Sequence, residues 1–272
     1  MTSVSENNVD FSLPINVLLL AGGQIKDLDP SEPKVASKGH ILLGSKPMSS
    51  YTLQALKNSQ NINKIILVSP LREDELDDNW QGVTTVAPAG ESLIDSIASG
   101  MEKLPESTEP VLVVAGDLPF LTVEAVDHFI KACQDSPQSS IWYGFVEKGA
   151  SIKKYPHLHH TWVKMKEGTF CGSGLSCMRR NVVQKVRKSL AEVTASRKNP
   201  LKITKILGLK TLFYMLIGRL SVTMAEEAGE RMMGLKCKGI LSPFAEAAYN
   251  IDDATTLKQA REDLKNYNSS NN

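Results

Sequence analysis

The chain has 272 residues, with 31 basic against 30 acidic side chains, a formal net charge of +1, and 42% hydrophobic and 22% charged residues. That length suffices for one large α/β core, or a core with a modest accessory subdomain. The near-neutral balance excludes a broad electrostatic surface for a nucleic-acid polymer, so an anion must be bound locally, and the apolar content fits neither a disordered chain nor a membrane bundle.

Met1–Pro14 is polar and acidic and lacks the basic-then-apolar order of a signal peptide, so residues 1–14 are expected as a flexible tail. Ile15–Leu20 reads as the first strand, and it breaks into Ala21-Gly22-Gly23 with Lys38 and Lys46 downstream. Glycines let backbone N–H groups approach an anion that a Cβ would obstruct, and lysines supply point charges, which together is chemistry for holding phosphates. The pattern is neither GxxxxGK[ST] nor GxGxxG, and a bare turn is the competing reading. Pro47 suits the first turn of a helix to about Asn58.

Strands are predicted at Lys64–Ser69, Val83–Val86, Val111–Ala115 and Ile141–Phe145, alternating with helices as in a parallel sheet with crossovers. Over Ser92–Lys103 the spacing puts Leu93, Ile97, Met101 and Leu104 on one face, and Val123, Val126, Ile130 and Cys133 repeat the pattern. Val113-Val114-Ala115-Gly116-Asp117-Leu118-Pro119 is a buried-type strand that delivers a carboxylate at its carboxyl end. Thr122 is the better cap for the helix near Val123, which leaves Asp117 free.

After residue 145 the pattern changes. Thr161–Lys166 and Thr169–Met178, separated by Glu167-Gly168, read as an antiparallel extension beside the main sheet. The acceptor side of a ligand site is expected over Thr169–Gly174, with Phe170 offering a flat apolar surface; a tight strand with a glycine bulge is the alternative. His157, His159 and His160 lie in a polar loop and read as solvated rather than metal-bound. Residues 180–234 read as several helices. Ile203–Leu220 is too interrupted by charge and glycine to span a membrane; the apolar faces over 201–220 suit packing or a homodimer contact, with a membrane surface or an amphiphilic acceptor less favoured.

A last strand pair, Lys236–Leu241 and Ala247–Ile251, leads to a helix with Leu257, Ala260 and Leu264 on one side, and 265–272 is expected as a flexible tail. In Asn250-Ile251-Asp252-Asp253, Asp253 is the N-cap, so Asp252 needs another explanation. Two carboxylates on separate strand ends of one sheet suit a hard divalent cation, and Mg²⁺ typically takes one or two carboxylates plus phosphate oxygens. Cys133, Cys171, Cys177 and Cys237 form no CxxC pair and read as reduced thiols.

The order of strand-Ala21-Gly22-Gly23, Lys38 through Lys46-Pro47-Met48, Gly116-Asp117-Leu118-Pro119 and Asp252 before the last helix resembles the MobA-like nucleotidyltransferases. This GT-A-type family includes molybdenum-cofactor guanylyltransferase and sugar-phosphate nucleotidyltransferases. The match covers residues 15–145 and 236–264. The resemblance implies an α/β fold, a three-layer α/β/α Rossmann-like (GT-A-type) arrangement on a mixed, mostly parallel sheet, as a single domain over 15–264 with a helical insertion at about 180–234. It implies that Ala21, Gly22, Gly23 and Lys38 contact the nucleotide and its phosphates, that Gly90-Glu91-Ser92 line the base pocket, that Lys38 and Asp117 are catalytic, and that Asp117 and Asp252 hold Mg²⁺.

The implied reaction is in-line attack by an acceptor oxygen on the α-phosphorus of a nucleoside triphosphate, releasing pyrophosphate, in a cytoplasmic enzyme acting on a small-molecule acceptor. Two departures stand out. Gln24–Ser37 reads QIKDLDPSEPKVAS, without the arginine usual in the family, so Lys26 or Lys34 is the available substitute charge, and Asn250 stands where an aspartate is common. The missing arginine keeps a non-catalytic nucleotide or sugar-nucleotide binding protein as an alternative. A GT-A glycosyltransferase is the other, disfavoured because Asp117-Leu118-Pro119 has one acid instead of a D-x-D pair.

Overall fold

A computed structural model of the chain describes residues 11, 13–25, 27–29, 32–196 and 208–270. The expectations for residues 1–10, for Lys26 and for 201–207 lie outside the described residues. In chain order the strands are β1 (Ile15–Leu20), β2 (Leu42–Leu43), β3 (Lys46–Pro47), β4 (Ile62–Ser69), β5 (Thr85–Pro88), β6 (Val111–Ala115), β7 (Ile141–Glu147), β8 (Val163–Lys164), β9 (Thr169–Met178) and β10 (Cys237–Ser242). The helices are α1 (Met48–Asn58), α2 (Leu93–Glu102), α3 (Val123–Gln134), α4 (Lys148–Lys154), α5 (Val183–Ser196), α6 (Leu209–Leu216), α7 (Val222–Met233) and α8 (Ala254–Ser270).

The main sheet runs β10-β7-β9-β6-β1-β4-β5, with β8 added on β9, while β2 and β3 form a separate small hairpin. β1 pairs in parallel with β4 and β6, β4 with β5, and β7 with β10. Because β1 is covered on both sides, it is apolar from Val17 to Leu20: Val17 and Leu19 pack with Leu53 and Leu56 of α1 and Phe129 of α3, while Leu18 packs with Ile94, Ile97 and Met101 of α2. The result is the expected three-layer α/β/α arrangement. A third cluster packs Leu257, Ala260 and Leu264 of α8 against Met48 and Leu43, which ties the end of the chain to the segment after β1.

Several boundaries differ from the expectations, each for a local reason. The strand expected at Val83–Val86 forms at Thr85–Pro88, since Val83 N–H closes a turn onto Trp80 C=O (3.1 Å). Leu93, placed on the buried face of α2, is 66% exposed; it is the first helical residue after the Ser92 cap, and Ile94 takes the core position. The expected strand Thr161–Lys166 shrinks to β8.

The antiparallel segment is inside the sheet rather than beside it, because β9 pairs with β6 on one side and β7 on the other. Ala247–Ile251 is no strand: Ala245–Ala248 winds into a 3₁₀ turn and Ile251 N–H reaches Asp117 C=O (3.3 Å) instead. At the chain end α8 continues through Ser270, where a tail was expected. Among the described residues no helix is long and apolar enough to cross a membrane.

Candidate active site

The parallel strands β1, β4, β5 and β6 all end on one edge, and the chain leaves each of them there. Ala21 N–H bonds Val68 C=O and Gly116 N–H bonds Leu20 C=O, both at 2.8 Å, which keeps the segments after β1 and β6 side by side. Gly22 is required by close approach, since a Cβ there would overlap Ala89 Cβ in the segment after β5. Gly23 differs: the nearest atom to its Cβ position is Lys38 Cε at 3.8 Å. Its C=O accepts Lys38 N–H at 2.6 Å, which seats a 3₁₀ turn, Lys38–His40, over the diglycine.

From that turn the Lys38 ammonium reaches two carboxylates, Asp117 Oδ2 at 2.5 Å and Asp252 Oδ1 at 2.9 Å. Thr122 caps α3 through Ala125 N–H (3.2 Å) and Asp253 caps α8 through Thr256 N–H (2.8 Å). Both aspartates are therefore free of capping duty, as the sequence suggests. Asn250 Nδ2 donates to the other Asp117 oxygen, Oδ1, at 3.1 Å. Where an acid would repel Asp117, the amide adds a donor, so this departure strengthens the local charge balance. Burial works against the Lys38 charge, but the hydrogen bonds and field of Asp117 and Asp252 outweigh it and hold the ammonium above the usual lysine range.

Asp117 and Lys38 are largely enclosed, whereas the Asp252 side chain is 73% exposed, so the cluster opens to solvent on the Asp252 side. Asp117 Oδ2 and Asp252 Oδ1 both lie within hydrogen-bond reach of one atom, which defines a single cation position with two hard oxygen donors. That donor set fits Mg²⁺, whose remaining ligands are ordinarily water and phosphate oxygens. Among the described residues no group of three or more His, Cys, Asp or Glu side chains is placed to hold a metal ion.

Sequence reasoning missed the supports of Lys38. Ser37 Oγ donates to Ala21 C=O, so His40 Nδ1–H is left to donate to Ser37 Oγ (2.7 Å), and His40 Nε2 faces Ser69 Oγ at 3.3 Å. The imidazole lies against Trp80 with ring centroids 5.1 Å apart, and desolvation pushes its pKa down. Ser49, fully buried in the first turn of α1, donates to Gly116 C=O at 2.7 Å and so braces the turn that carries Asp117. The available signal was the set of small hydroxyls Ser49, Ser50 and Thr52 at the start of a helix, at positions where a core-facing helix is usually apolar.

The Gly90-Glu91-Ser92 segment joins the site through Ala89, which touches Gly22. Gly90 N–H is held by Ser96 Oγ (3.0 Å), Ser92 Oγ accepts Asp95 N–H (3.2 Å) as the α2 cap, and Glu91 is exposed. Lys34 is exposed as well. The histidine loop has partners of its own: His157 pairs with Asp263 (2.9 Å), and His160 sits 3.3 Å from Ser151 Oγ and edge-on to Trp162. Phe170 is 7% exposed and packs edge-on against Phe145.

Residues 17–201 match the family model described as the MobA-like NTP transferase domain. A 2-C-methyl-D-erythritol 4-phosphate cytidylyltransferase of Alkaliphilus metalliredigens (strain QYMF) is 30% identical over 131 residues, which is 44% of this chain and 52% of that protein. The chain spans about half the length of the first curated relatives it matches. A hypothetical transferase structure from Thermus thermophilus is 25% identical with a TM-score of 0.73, covering 90% of this chain and 100% of that one. The 4-diphosphocytidyl-2C-methyl-D-erythritol synthase of Anaerococcus prevotii DSM 20548 shares the fold at 14% identity, with a TM-score of 0.53 over 92% of this chain and 98% of that one.

Proposed function

The chain belongs to the MobA-like NTP transferase domain family, and from that premise we propose that it transfers a nucleotidyl group from a nucleoside triphosphate to a small phosphorylated acceptor, releasing pyrophosphate. CTP is the nucleotide to test first, because the similar curated proteins are named as cytidylyltransferases. The observation that carries the reading is the meeting of Asp117 and Asp252, from distant parts of the chain, on Lys38 beside the diglycine segment.

In this reading the backbone of Ala21–Gly23 faces the triphosphate, and Gly23 has the open space for it. Asp117 and Asp252 hold Mg²⁺, which when bound supplies charge neutralisation to the triphosphate oxygens. Because the Lys38 ammonium holds the point between the two acids in this structure, it would give way to the metal and, from beside it, donate hydrogen bonds to phosphate oxygens. An oxygen of the ionised acceptor phosphate forms a bond to the α-phosphorus. The bond from that phosphorus to the α,β-bridging oxygen breaks, and its electron pair leaves with pyrophosphate. No protein nucleophile and no proton transfer are required, so positioning and preorganised charge carry the rate enhancement.

The test is pyrophosphate release from CTP, GTP, ATP and UTP with Mg²⁺ across a panel of sugar, polyol and alkyl phosphates, on the wild type and Asp117→Asn. Turnover with at least one pair, lost in the variant, is expected. Nucleotide binding without turnover across the panel would overturn the proposal in favour of a nucleotide-binding protein.

A further inference from the structure

A cavity of about 390 Å³ lies on the α7 face of the sheet between β7, β9 and β10. Its walls are apolar: Phe145, Met165, Phe170, Leu220 and Val222 are among them. That size and character match small-molecule sites, which are usually apolar with a few placed polar groups. Glycines leave the floor open. A Cβ on Gly172 would overlap the Tyr143 hydroxyl, and one on Gly239 would come within 2.9 Å of the Phe145 ring. The carboxylate on the wall, Glu226, is paired through Oε1 with Gly239 N–H (2.9 Å) and Lys238 Nζ (3.1 Å), which offsets its charge.

Strand β9 lines the cavity and also packs against the turn that carries Asp117. Gly172 lines the cavity, and two residues further along β9 a Cβ on Gly174 would lie 2.6 Å from Leu118 Cδ1 and 3.0 Å from Ala115 Cβ, the residues that bracket the Asp117 turn. Two residues of extended chain span roughly 7 Å. The mouth is also apolar, since Val163 and Tyr143 line the cavity while remaining 44% and 52% exposed. Leu220, on the cavity wall, accepts Lys166 N–H at 2.9 Å and follows α6 in the chain, where Phe213 and Leu216 are 56% and 82% exposed. Exposed Lys164 and Lys166 add positive charge to the same arm.

We propose that the acceptor is an amphiphile, a phosphate whose apolar chain lies in this cavity while its head lies at the Asp117 edge. The proposal rests on the nucleotidyl-transfer reading and supplies its acceptor class; the bonds made and broken are those given above. A polar sugar phosphate would leave the cavity without an occupant of matching chemistry, whereas a hydrocarbon chain gains free energy with each methylene buried.

The test uses the full chain with CTP and Mg²⁺ and a series of butyl, octyl and dodecyl phosphate, each below its micelle threshold, read by calorimetric binding and by pyrophosphate release. Affinity is expected to rise at least tenfold from butyl to octyl phosphate. The rise should flatten in Ala225→Phe, which fills the cavity from α7, and in Val163→Asp, which places a charge at the exposed mouth with little demand on folding. CTP affinity should be unchanged in both.

Equal affinity along the series, or an undiminished rise in a folded Val163→Asp, overturns the proposal. A chain-length rise in binding without pyrophosphate release supports the cavity and refutes the transfer reading, which keeps the two failures apart. Co-sedimentation with vesicles containing phosphatidic acid, lost in Val163→Asp, assigns the chain to a bilayer lipid. Retention of the alkyl phosphate series without co-sedimentation assigns it to a soluble amphiphile. Both outcomes support the proposal.

Discussion

Lys38 and Asp117 form an ion pair of 2.5 Å between side chains only 13% and 10% exposed, and the same ammonium bonds the 73% exposed Asp252. The lysine thus occupies the position at which two acids converge. The two acids share a partner but differ sharply in environment, which separates folding from function experimentally.

Asp252→Asn is expected to change stability by less than about 0.5 kcal/mol, as for most exposed substitutions, while lowering kcat/KM by about a hundredfold or more, the loss typical when a preorganised electrostatic contact is removed. Asp117→Asn should lose comparable activity and also stability, because it weakens an enclosed pair. Steady-state kinetics and thermal unfolding on both variants check this. Equal stability losses would show that exposure does not distinguish them.

Lys38→Met should destabilise the chain by leaving Asp117 enclosed with only the Asn250 amide. The folded pKa of Lys38 lies above its ordinary 10.5, so its contribution is complete below that pH and is lost as pH rises through the folded value. The unfolding temperatures of wild type and Lys38→Met should therefore differ most at neutral pH and converge at strongly alkaline pH.

His40 has the opposite sign. Its folded pKa lies below its ordinary 6.5, so the neutral ring is the native form, and its contribution is present above about pH 6.5 and lost as pH falls through the lowered value. Acid should loosen the Ser37–His40–Ser69 contacts and with them the turn that carries Lys38. His40→Asn, which retains a donor near Nδ1, is expected to flatten the stability loss between pH 7 and 5, measured by thermal unfolding. An unchanged pH slope would remove His40 from this role.

The two glycines should separate as well. Gly22→Ala forces a shift against Ala89 and is expected to lower stability by about 1–3 kcal/mol, as overpacking does. Gly23→Ala has room and should fold normally, yet raise KM for the nucleotide by crowding the backbone that faces the phosphates. Calorimetric nucleotide binding on Gly23→Ala gives the answer.

The strands at Ile15–Leu20 and Val111–Ala115 were legible because their apolar runs, Val17–Ala21 and Val111–Ala115, are short, continuous and closed by glycine. Asp117 and Asp252 were legible because Thr122 and Asp253 already account for the neighbouring helix caps. The place of β9 inside the sheet was not legible, since local periodicity reports that a segment is a strand and not which strands flank it. Nor was the Ser37–His40–Ser69 brace, whose partners converge only when β1, β4 and the 3₁₀ turn are packed. The cavity under α7 likewise depends on glycines that meet across β9 and β10.

The most direct measurement is electron–nuclear double resonance of Mn²⁺, as a stand-in for Mg²⁺, bound with α,β-methylene CTP to protein carrying ¹³C-labelled aspartate carboxylates. Two carboxylate couplings are predicted in the wild type, reduced to one in Asp252→Asn. A wild-type complex whose metal shows no ¹³C coupling would contradict the shared cation position on which the proposed transfer depends.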